Sequence, residues 1–260
     1  MLITIISNNK YWYFKSVLSP DQCRNIIDSG LSKIEESKKN GIDTTASTYG
    51  DTQKKEGADQ IAQNDKTLED ISKEKNFKRT EVENKTYIRD SEVSWLNDKW
   101  LYDIILPYLH SANKNAGWKY DIENSEAFQF TVYRPGGFYG WHLDGHSCHN
   151  SVYKRFVPGI TPEKENGDPK AGYTTLDESI GKIRKLSMTI NLNSPNDYEG
   201  GNLNFDFGPH NAGTRYHECV EIRPQGSIIV FPSYTHHQVT PVTRGIRYSL
   251  VLWSLGKPFR

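Results

Sequence analysis

Apolar residues in the first half of the chain recur at the spacing of an amphipathic helix in two places. The first run follows Ser19-Pro20-Asp21-Gln22, which is typical of a capping box with proline at the first helical position. The apolar face of this predicted helix consists of Cys23, Ile26, Ile27, Leu31 and Ile34. The apolar face of the second predicted helix consists of Leu96, Trp100, Leu101, Ile104, Ile105 and Tyr108. We expect Pro107 to kink or end this second helix.

The second half of the chain changes to a period of two, which predicts strands. Polar and apolar residues alternate in three segments, at residues 127–133, 187–193 and 247–253. Their polar faces carry Tyr133, Asn191, Arg247 and Ser249 rather than Lys and Glu. One such face would ordinarily be turned to solvent. Three of them favour a small barrel or sandwich around a polar pocket.

Two long polar stretches interrupt this pattern. The stretch at about 35–85 is rich in Lys, Glu, Asp, Ser and Thr, and its apolar residues are too scattered to form a core face. We expect it to be a solvated insertion. The stretch at about 145–182 is expected to be a loop and a candidate lid. Residues 1–260 are therefore predicted to form a single domain with two additions.

Composition narrows the class of protein. The formal net charge is zero, which argues against a dedicated nucleic-acid binder. The three cysteines, Cys23, Cys148 and Cys219, show no Cys-x-x-Cys spacing and suggest a reducing compartment. The start of the chain lacks a basic region and a cleavage site, so we expect a strand there rather than a signal peptide. With no apolar run of about 18 residues, the expectation is a cytoplasmic protein with no membrane partner.

A candidate metal site begins with His142 and Asp144, two residues apart in a predicted strand. Alternate strand residues project from the same face, so an imidazole and a carboxylate could reach one ion. A second histidine would complete the set of ligands that suits Fe(II) and leaves three adjacent positions open. His236 and His237 are both candidates, and because neighbouring strand residues face opposite sides, spacing does not choose between them.

Other histidines carry weaker signals. His146, Cys148 and His149 offer a zinc-like alternative near Asp144, but their spacing matches no structural zinc pattern. We expect them to be loop residues near the mouth of the pocket. The remaining three, which we expect to be ordinary surface residues, are His110, His210 and His217.

Arg247 is a candidate anion anchor, since it follows His237 by ten residues and shares a strand face with Ser249. Its forked guanidinium matches a carboxylate, to which Ser249 would add a hydroxyl donor. Without the upstream histidine, a salt bridge at a strand start would be the default interpretation. Arg244 precedes Gly245 in a predicted turn and is expected to face solvent.

Four sequence motifs, in this order along the chain, resemble those of a known protein family. They are Tyr133 to Asp144, Arg184 to Asn193, Tyr198 to Leu203, and Gly226 to Ser233 followed by His237 and Arg247. Together they resemble the 2-oxoglutarate and iron(II) oxygenase superfamily, in particular its prolyl 4-hydroxylase-like branch. The resemblance covers nearly the whole chain outside the two polar stretches. It implies a mainly β fold, a double-stranded β-helix (jelly-roll) core with supporting helices.

The resemblance also implies the site. It selects His237 as the third metal ligand beside His142 and Asp144, with Tyr133 and Asn191 at positions that contact the cosubstrate in relatives. It implies Fe(II), 2-oxoglutarate and O2, with conversion to succinate and CO2 and with ascorbate (vitamin C) as a candidate reductant. The 5-carboxylate of 2-oxoglutarate is expected at Arg247. Because related halogenases lack the carboxylate ligand, Asp144 favours hydroxylation.

The expected substrate is a peptidyl proline, with a free amino acid or another small molecule as the alternative. Tyr139, Trp141 and the 145–182 loop could shape either kind of site. A different class of function is a cupin-like Zn(II) or Mn(II) binding protein or isomerase, which would not require Arg247. A third is a catalytically silent scaffold that recognises a partner through the 35–85 insertion. The oligomeric state is not predicted.

Overall fold

The computed structural model describes residues 9–46, 49–51, 85–87, 89–145, 181–209, 213 and 215–259. Its helices are α1 (Pro20–Lys39), α2 (Lys99–Asn115) and a short 3-10 helix (Val220–Ile222). Its strands in the first half are β1 (Trp12–Phe14), β2 (Thr45–Ala46), β3 (Tyr49–Asp51), β4 (Lys85–Tyr87), β5 (Arg89–Leu96), β6 (Asn124–Ser125), β7 (Phe128–Tyr133) and β8 (Phe138–His142). Those in the second half are β9 (Ile183–Asn191), β10 (Tyr198–Gly200), β11 (Leu203–Asp206), β12 (Tyr216–Glu218), β13 (Ile228–Pro232), β14 (His236–Val239), β15 (Val242–Gly245) and β16 (Arg247–Gly256).

Twelve of the described strands form one antiparallel sheet that curls on itself. The order runs β1-β13-β9-β16-β7-β5-β8-β14-β11-β12, with β2 beside β5 and β6 beside β16. Residues 92–96 of strand β5 pair with β7, and residues 89–90 at its start pair with β8. Strand β5 therefore connects the two halves of the curled sheet. This is the predicted jelly-roll core, mainly β with helices in support.

The two helices cover the outer face of the sheet. The apolar side of β7, formed by Phe128, Phe130 and Val132, is buried against residues that include Ile26 of α1 and Leu101 of α2. The other side of the same strand is polar and turns inward. The alternation in the sequence therefore separates a helix-covered core from a polar interior, as predicted.

Helix α1 begins as the sequence predicts. The Gln22 N–H donates to Ser19 Oγ (3.2 Å), and Ser19 N–H donates to Gln22 Oε1 (2.8 Å), so the capping box is closed. The helix continues to Lys39 and thus includes the first residues of the polar stretch that was expected to begin near 35. Solvated side chains at its end do not prevent a helix whose buried face is already anchored.

The prediction for the second helix was wrong about its start, and of the two expected effects of Pro107 the ending does not occur. Leu96 ends strand β5, and α2 begins only at Lys99, where Trp100 is 37% exposed. The helix does not end at Pro107 but continues to Asn115. Leu109 and Ala112, two and five residues beyond Pro107, are completely buried, and this packing holds the helix together despite the missing N–H of proline.

Several expectations fall on residues outside the described part. These include most of the insertion at about 35–85, most of the 145–182 loop, and the residues His146, Cys148, His149 and His210. Cys23 and Cys219 are buried free thiols. Within the described ranges, neither α-helix combines the length and apolar character that crossing a membrane requires.

Candidate active site

Three side chains from two neighbouring strands and a turn converge at one end of an inward-facing cavity. His142 ends β8, His237 lies in β14, and the two residues are register partners. Asp144 lies just beyond β8 rather than within the strand, so its place comes from the turn and not from strand alternation. One nitrogen or oxygen of each of the three residues lies within 4.8 Å of the others. The sequence-predicted trio is therefore brought together.

The two imidazoles are held with the same nitrogen turned towards Asp144. His142 Nδ1 lies 2.8 Å from the Gly140 carbonyl, and His237 Nδ1 lies 2.9 Å from the Thr235 carbonyl. A carbonyl only accepts, so each Nδ1 carries the proton and each Nε2 keeps its lone pair. Both Nε2 atoms lie 3.5 Å from an oxygen of Asp144.

The charge states at this point suit a cation. Burial, followed by the neighbouring His142, lowers the pKa of His237 to about 4, so its imidazole is neutral near pH 7. Burial by itself would raise the pKa of Asp144, but His237 and the hydrogen bond with His142 outweigh it and hold that pKa below its usual range. Two imidazoles and one carboxylate are a set of donors that divalent transition metals bind.

Arg184 fixes the turn that carries Asp144. Its Nε and Nη2 grip both oxygens of Glu126 (2.6 and 2.7 Å), while Nη1 donates to the Asp144 carbonyl oxygen (3.1 Å). The guanidinium also lies 4.0 Å from the ring centroid of Trp253. A bidentate ion pair of this kind is geometrically specific. It fixes the guanidinium of Arg184, which projects from β9, and the guanidinium in turn orients the turn at Asp144.

Strand β8 reaches the cavity with two side chains three residues apart. Its pairing with β14 is irregular between His237 and Val239, which brings Tyr139 as well as His142 to the inner side. The ring of Tyr139 stacks on the imidazole of His142, with centroids 3.4 Å apart and planes 12° from parallel. This contact limits rotation of the imidazole.

A cationic group lies in the same cavity as the three clustered residues. Arg247 is only 2% exposed, and its Nε and Nη1 have no hydrogen-bond partner. Ser249 and Tyr133 line the cavity beside it, with the guanidinium 5.3 Å from the Tyr133 ring centroid. Thr131, which pairs with Ser249 across the strands, leaves its buried hydroxyl oxygen unbonded as well.

Asn191 does not reach the cavity, which corrects the expected cosubstrate contact. Both amide hydrogens are used by backbone carbonyls, at Asn193 (3.0 Å) and Arg223 (2.8 Å). Its oxygen accepts from the Tyr198 hydroxyl at 3.3 Å. A side chain with this set of bonds ties the end of β9 to its surroundings and has no amide hydrogen left to donate to a carboxylate.

The remaining histidine and arginine predictions have mixed outcomes. His236 does not line the cavity, and Arg244 is exposed and paired with Glu199, as expected for a solvent-facing residue. His110 is exposed, as predicted. His217 is not an ordinary surface residue, because it is partly buried with Nε2 2.9 Å from the Tyr11 hydroxyl.

Sequence reasoning missed a second buried arginine in the cavity. Arg89, at the start of β5, is 8% exposed and bonds to Ser91 and Gln129. It was missed because it directly follows the polar stretch and belongs to a strand that was not predicted. The alternation of Arg89, Ser91 and Val93 with Asp90 and Glu92 is too polar to stand out as a strand.

Comparison with known proteins agrees with this arrangement. Residues 128–255 match a family described as the 2OG-Fe(II) oxygenase superfamily. A PKHD-type hydroxylase of Xylella fastidiosa (strain 9a5c) is 31% identical over 125 residues, which cover 48% of this chain and 42% of the relative. One of Nitrobacter winogradskyi is 33% identical over 128 residues, with coverage of 48% and 42%. The chain thus matches less than half the length of these curated relatives.

Among solved structures, the viral collagen prolyl hydroxylase of Paramecium Bursaria Chlorella virus-1, determined in complex with 2OG, has a similar fold. The TM-score is 0.53 at 17% sequence identity, and the alignment covers 97% of this chain and 99% of that one. This likeness establishes the shared jelly-roll architecture. The matched family region contains all three clustered residues and Arg247. Over residues 128–255, just under half of its length, the chain resembles the 2OG-Fe(II) oxygenase superfamily.

Proposed function

We propose that this protein is an Fe(II)- and 2-oxoglutarate-dependent hydroxylase, in which His142, Asp144 and His237 hold the metal. Arg247 and Ser249 would bind the 5-carboxylate of 2-oxoglutarate, with Tyr133 beside them. One observation carries the proposal: a buried arginine with unbonded nitrogens lies in the same cavity as a compact two-histidine, one-carboxylate cluster.

The donor set fits an open Fe(II) site and does not fit a structural zinc site. Two histidines and a carboxylate on one side leave room for further ligands, whereas structural zinc sites are closed by four protein ligands. Within the described residues no fourth His, Cys, Asp or Glu joins the group. The described cysteines, Cys23 and Cys219, are not in it either.

The environment of Arg247 supports a dicarboxylate as the cosubstrate. A guanidinium held out of water without hydrogen bonds is destabilising, and a bound carboxylate would supply both the bonds and the opposite charge. Ser249 lies on the same strand face and can donate its hydroxyl. A metal-binding isomerase would have no use for this second charged group.

The proposed reaction divides between cofactor and protein. When bound, Fe(II) would supply O2 activation coupled to oxidation of 2-oxoglutarate to succinate and CO2, with one oxygen atom entering succinate and the other a substrate C–H bond. The residues of this chain would position these groups. The backbone bonds of His142 and His237 and the grip of Arg184 on the Asp144 turn would keep the ligands in place while the cavity limits water.

The substrate proposed from the sequence is a peptidyl proline. The relatives named PKHD-type hydroxylases and the fold shared with a collagen prolyl hydroxylase support a hydroxylation as the reaction type. A substrate with a free carboxylate is a second candidate, since a second buried arginine lines the same cavity.

The test is succinate formation by the full chain, reconstituted with Fe(II) and supplied with 2-oxoglutarate and O2. We expect succinate in the complete mixture and none when a chelator removes the metal. The variant His237→Ala should lose metal affinity by more than about 100-fold, because even outer-shell partners of metal ligands are worth about 10- to 100-fold. His236→Ala is the matched control and should bind metal as the wild type does.

Tight metal binding without any consumption of 2-oxoglutarate would contradict the proposal and favour a cupin-like binding protein. Equal loss of metal affinity in the two histidine variants would instead contradict the ligand assignment.

A further inference from the structure

The cavity contains more positive charge than the proposed cofactors use. Among the described residues, its charged lining side chains are Arg89, Asp144 and Arg247, two cations and one anion. Fe(II) and the dianion of 2-oxoglutarate cancel each other, so one positive charge remains when both are bound. An uncompensated buried charge is costly, and a substrate carboxylate paired directly with the remaining cation would remove that cost, with any ammonium group of the substrate kept away from it.

Arg89 is the cation that would still lack a counter-ion once 2-oxoglutarate is paired with Arg247. Its Nε donates to Ser91 Oγ at 3.0 Å and its Nη2 to Gln129 Oε1 at 2.7 Å, both neutral groups. Within the described part of the chain it has no carboxylate partner. A structural arginine at 8% exposure would ordinarily have one, since buried charges are normally paired.

The position of Arg89 separates it from the proposed cosubstrate group. Along the inner face of β16, Arg247 pairs with Tyr133, Ser249 with Thr131, and Val251 with Gln129. The guanidinium of Arg89 bonds to Gln129. On β7, Gln129 lies two inward-facing positions away from Tyr133, which is the partner of Arg247. The next inward residue of β16 is Trp253, whose buried indole N–H has no hydrogen-bond partner.

Arg89 is also close to the proposed metal centre and is held in place. Its guanidinium carbon lies 4.6 Å from the centroid of the Tyr139 ring, which in turn stacks on His142. One aromatic ring therefore separates this cation from a proposed metal ligand. Two hydrogen bonds and the ring contact leave its orientation little freedom, which is how a specificity-determining residue is normally held.

We infer that Arg89, positioned by Gln129 and Ser91, binds a carboxylate of the substrate, so that the substrate is a free amino acid or a similarly small carboxylic acid. This inference rests on the proposed function, and it favours the substrate with a free carboxylate over the peptidyl proline expected from the sequence. An internal prolyl residue of a peptide carries no such charge and would leave the guanidinium unpaired.

The experiment measures succinate formation by the Fe(II)-loaded full chain with three kinds of probe. These are the free L-amino acids including L-proline, their primary amides, and a proline-containing peptide blocked at both ends. We expect at least one free amino acid to stimulate succinate formation, and its amide to have a kcat/KM lower by about 10-fold or more, because a charge-assisted hydrogen bond is lost.

Substitution of Arg89 tests whether this residue causes the preference. Arg89→Gln should lower kcat/KM for the acid by about 10- to 100-fold and change that for the amide much less. Arg89→Lys retains the charge and should retain a preference for the acid. Arg244→Gln, the same change at an exposed arginine, is the matched control and should behave as the wild type.

Two results would overturn the inference. One is that Arg89→Gln retains the full preference for acid over amide, which would make Arg89 merely structural. The other is that the blocked peptide stimulates turnover and no free amino acid does. If the wild type bound neither metal nor 2-oxoglutarate in calorimetry, the proposed function itself would be wrong, and the inference would fall with it.

Discussion

At the scale of single residues, Arg247 is a source of instability in the protein without ligand. It is almost completely buried, two of its nitrogens are unbonded, and its guanidinium lies 5.3 Å from the ring centroid of Tyr133. A cation–π contact recovers only part of what the guanidinium loses on leaving water. The side chain is therefore arranged for a bound anion rather than for the stability of the empty fold.

Replacing this guanidinium should separate stability from binding. We expect Arg247→Met to be more stable than the wild type by about 1 kcal/mol or more without ligand, because an unpaired buried charge is exchanged for an apolar chain. In the wild type, 2-oxoglutarate together with Mn(II), used in place of Fe(II), should raise the Tm. This rise should be much smaller in the variant. Thermal unfolding with and without the two ligands measures both effects.

The exposed Arg244→Met serves as the control and should retain the response to ligand. A lower Tm of Arg247→Met in the absence of ligand would mean that the guanidinium contributes to the fold in a way that its contacts do not reveal.

The residues of the site differ in how far the sequence could predict them. His142, Asp144 and Arg247 follow from chemistry and spacing, and the structure brings them to one cavity. The choice of His237 over His236 depends on which face of β14 turns inward, and spacing does not contain that information. Asn191 has the right strand parity, yet the nearby carbonyl of Arg223, distant in sequence, takes up its amide.

At the scale of elements, α1 packs closely against the sheet at Gly30, where there is no room for a side chain. A Cβ at Gly30 would overlap the ring of Phe130, and the Gly30 carbonyl accepts a hydrogen bond from Ser94 Oγ at 2.9 Å. Glycine inside a helix is unfavourable by about 1 kcal/mol relative to alanine. Here close packing of α1 on β7 and β5 requires it.

Gly30→Ala distinguishes helix propensity from packing, because the two effects have opposite signs. Propensity alone would stabilise the protein, whereas overpacking should destabilise it by about 1–3 kcal/mol. We expect the second effect to dominate in urea unfolding. Asp28→Ala, on the exposed side of the same helix, is the control for propensity. The double variant with Phe130→Leu should recover part of the loss, and a Gly30→Ala variant more stable than wild type would refute the packing argument.

The hairpin of β11 and β12 is held by an ion pair that responds to pH. Arg215 contacts Asp206 through three bonds of 2.6 to 3.0 Å, with side-chain exposures of 8% and 10%. Burial alone would raise the pKa of Asp206, but Arg215 and the Gly208 N–H outweigh it and lower that pKa. A lowered carboxyl pKa adds stability above the ordinary carboxyl pKa of about 4, and this stability is lost as the pH falls through the folded-state value.

Asp206→Asn should therefore lower the free energy of unfolding by about 2 kcal/mol at neutral pH. The difference from wild type should narrow as the pH falls below about 4, the ordinary carboxyl pKa, towards the lowered pKa of Asp206 in the folded protein. Urea unfolding over a series of pH values measures this. Glu199→Gln, in the exposed pair with Arg244, should change stability little at any pH. A gap between Asp206→Asn and wild type that stays constant down to pH 3 would contradict the argument.

At the scale of the whole molecule, the second half of the fold was more predictable than the first. Strict alternation in β7 and β16 indicated a polar interior, because a barrel strand turns every second side chain inward. Closure of the sheet depends on β5, whose end at Leu96 had been assigned to a helix. Its inward residues, Arg89 and Ser91, are polar, so hydrophobicity alone could not distinguish this strand from the polar stretch before it.

The described residues on either side of each long polar stretch lie close together. Asp51 and Lys85 are register partners across β3 and β4, and Arg184 donates a hydrogen bond to the carbonyl of Asp144 at 3.1 Å. When the two ends of a segment are already held together, doubling its length costs only about 0.6 kcal/mol of closure entropy. The molecule therefore has two places at which evolution, or an engineer, can lengthen, shorten or exchange the chain without rebuilding the barrel between them.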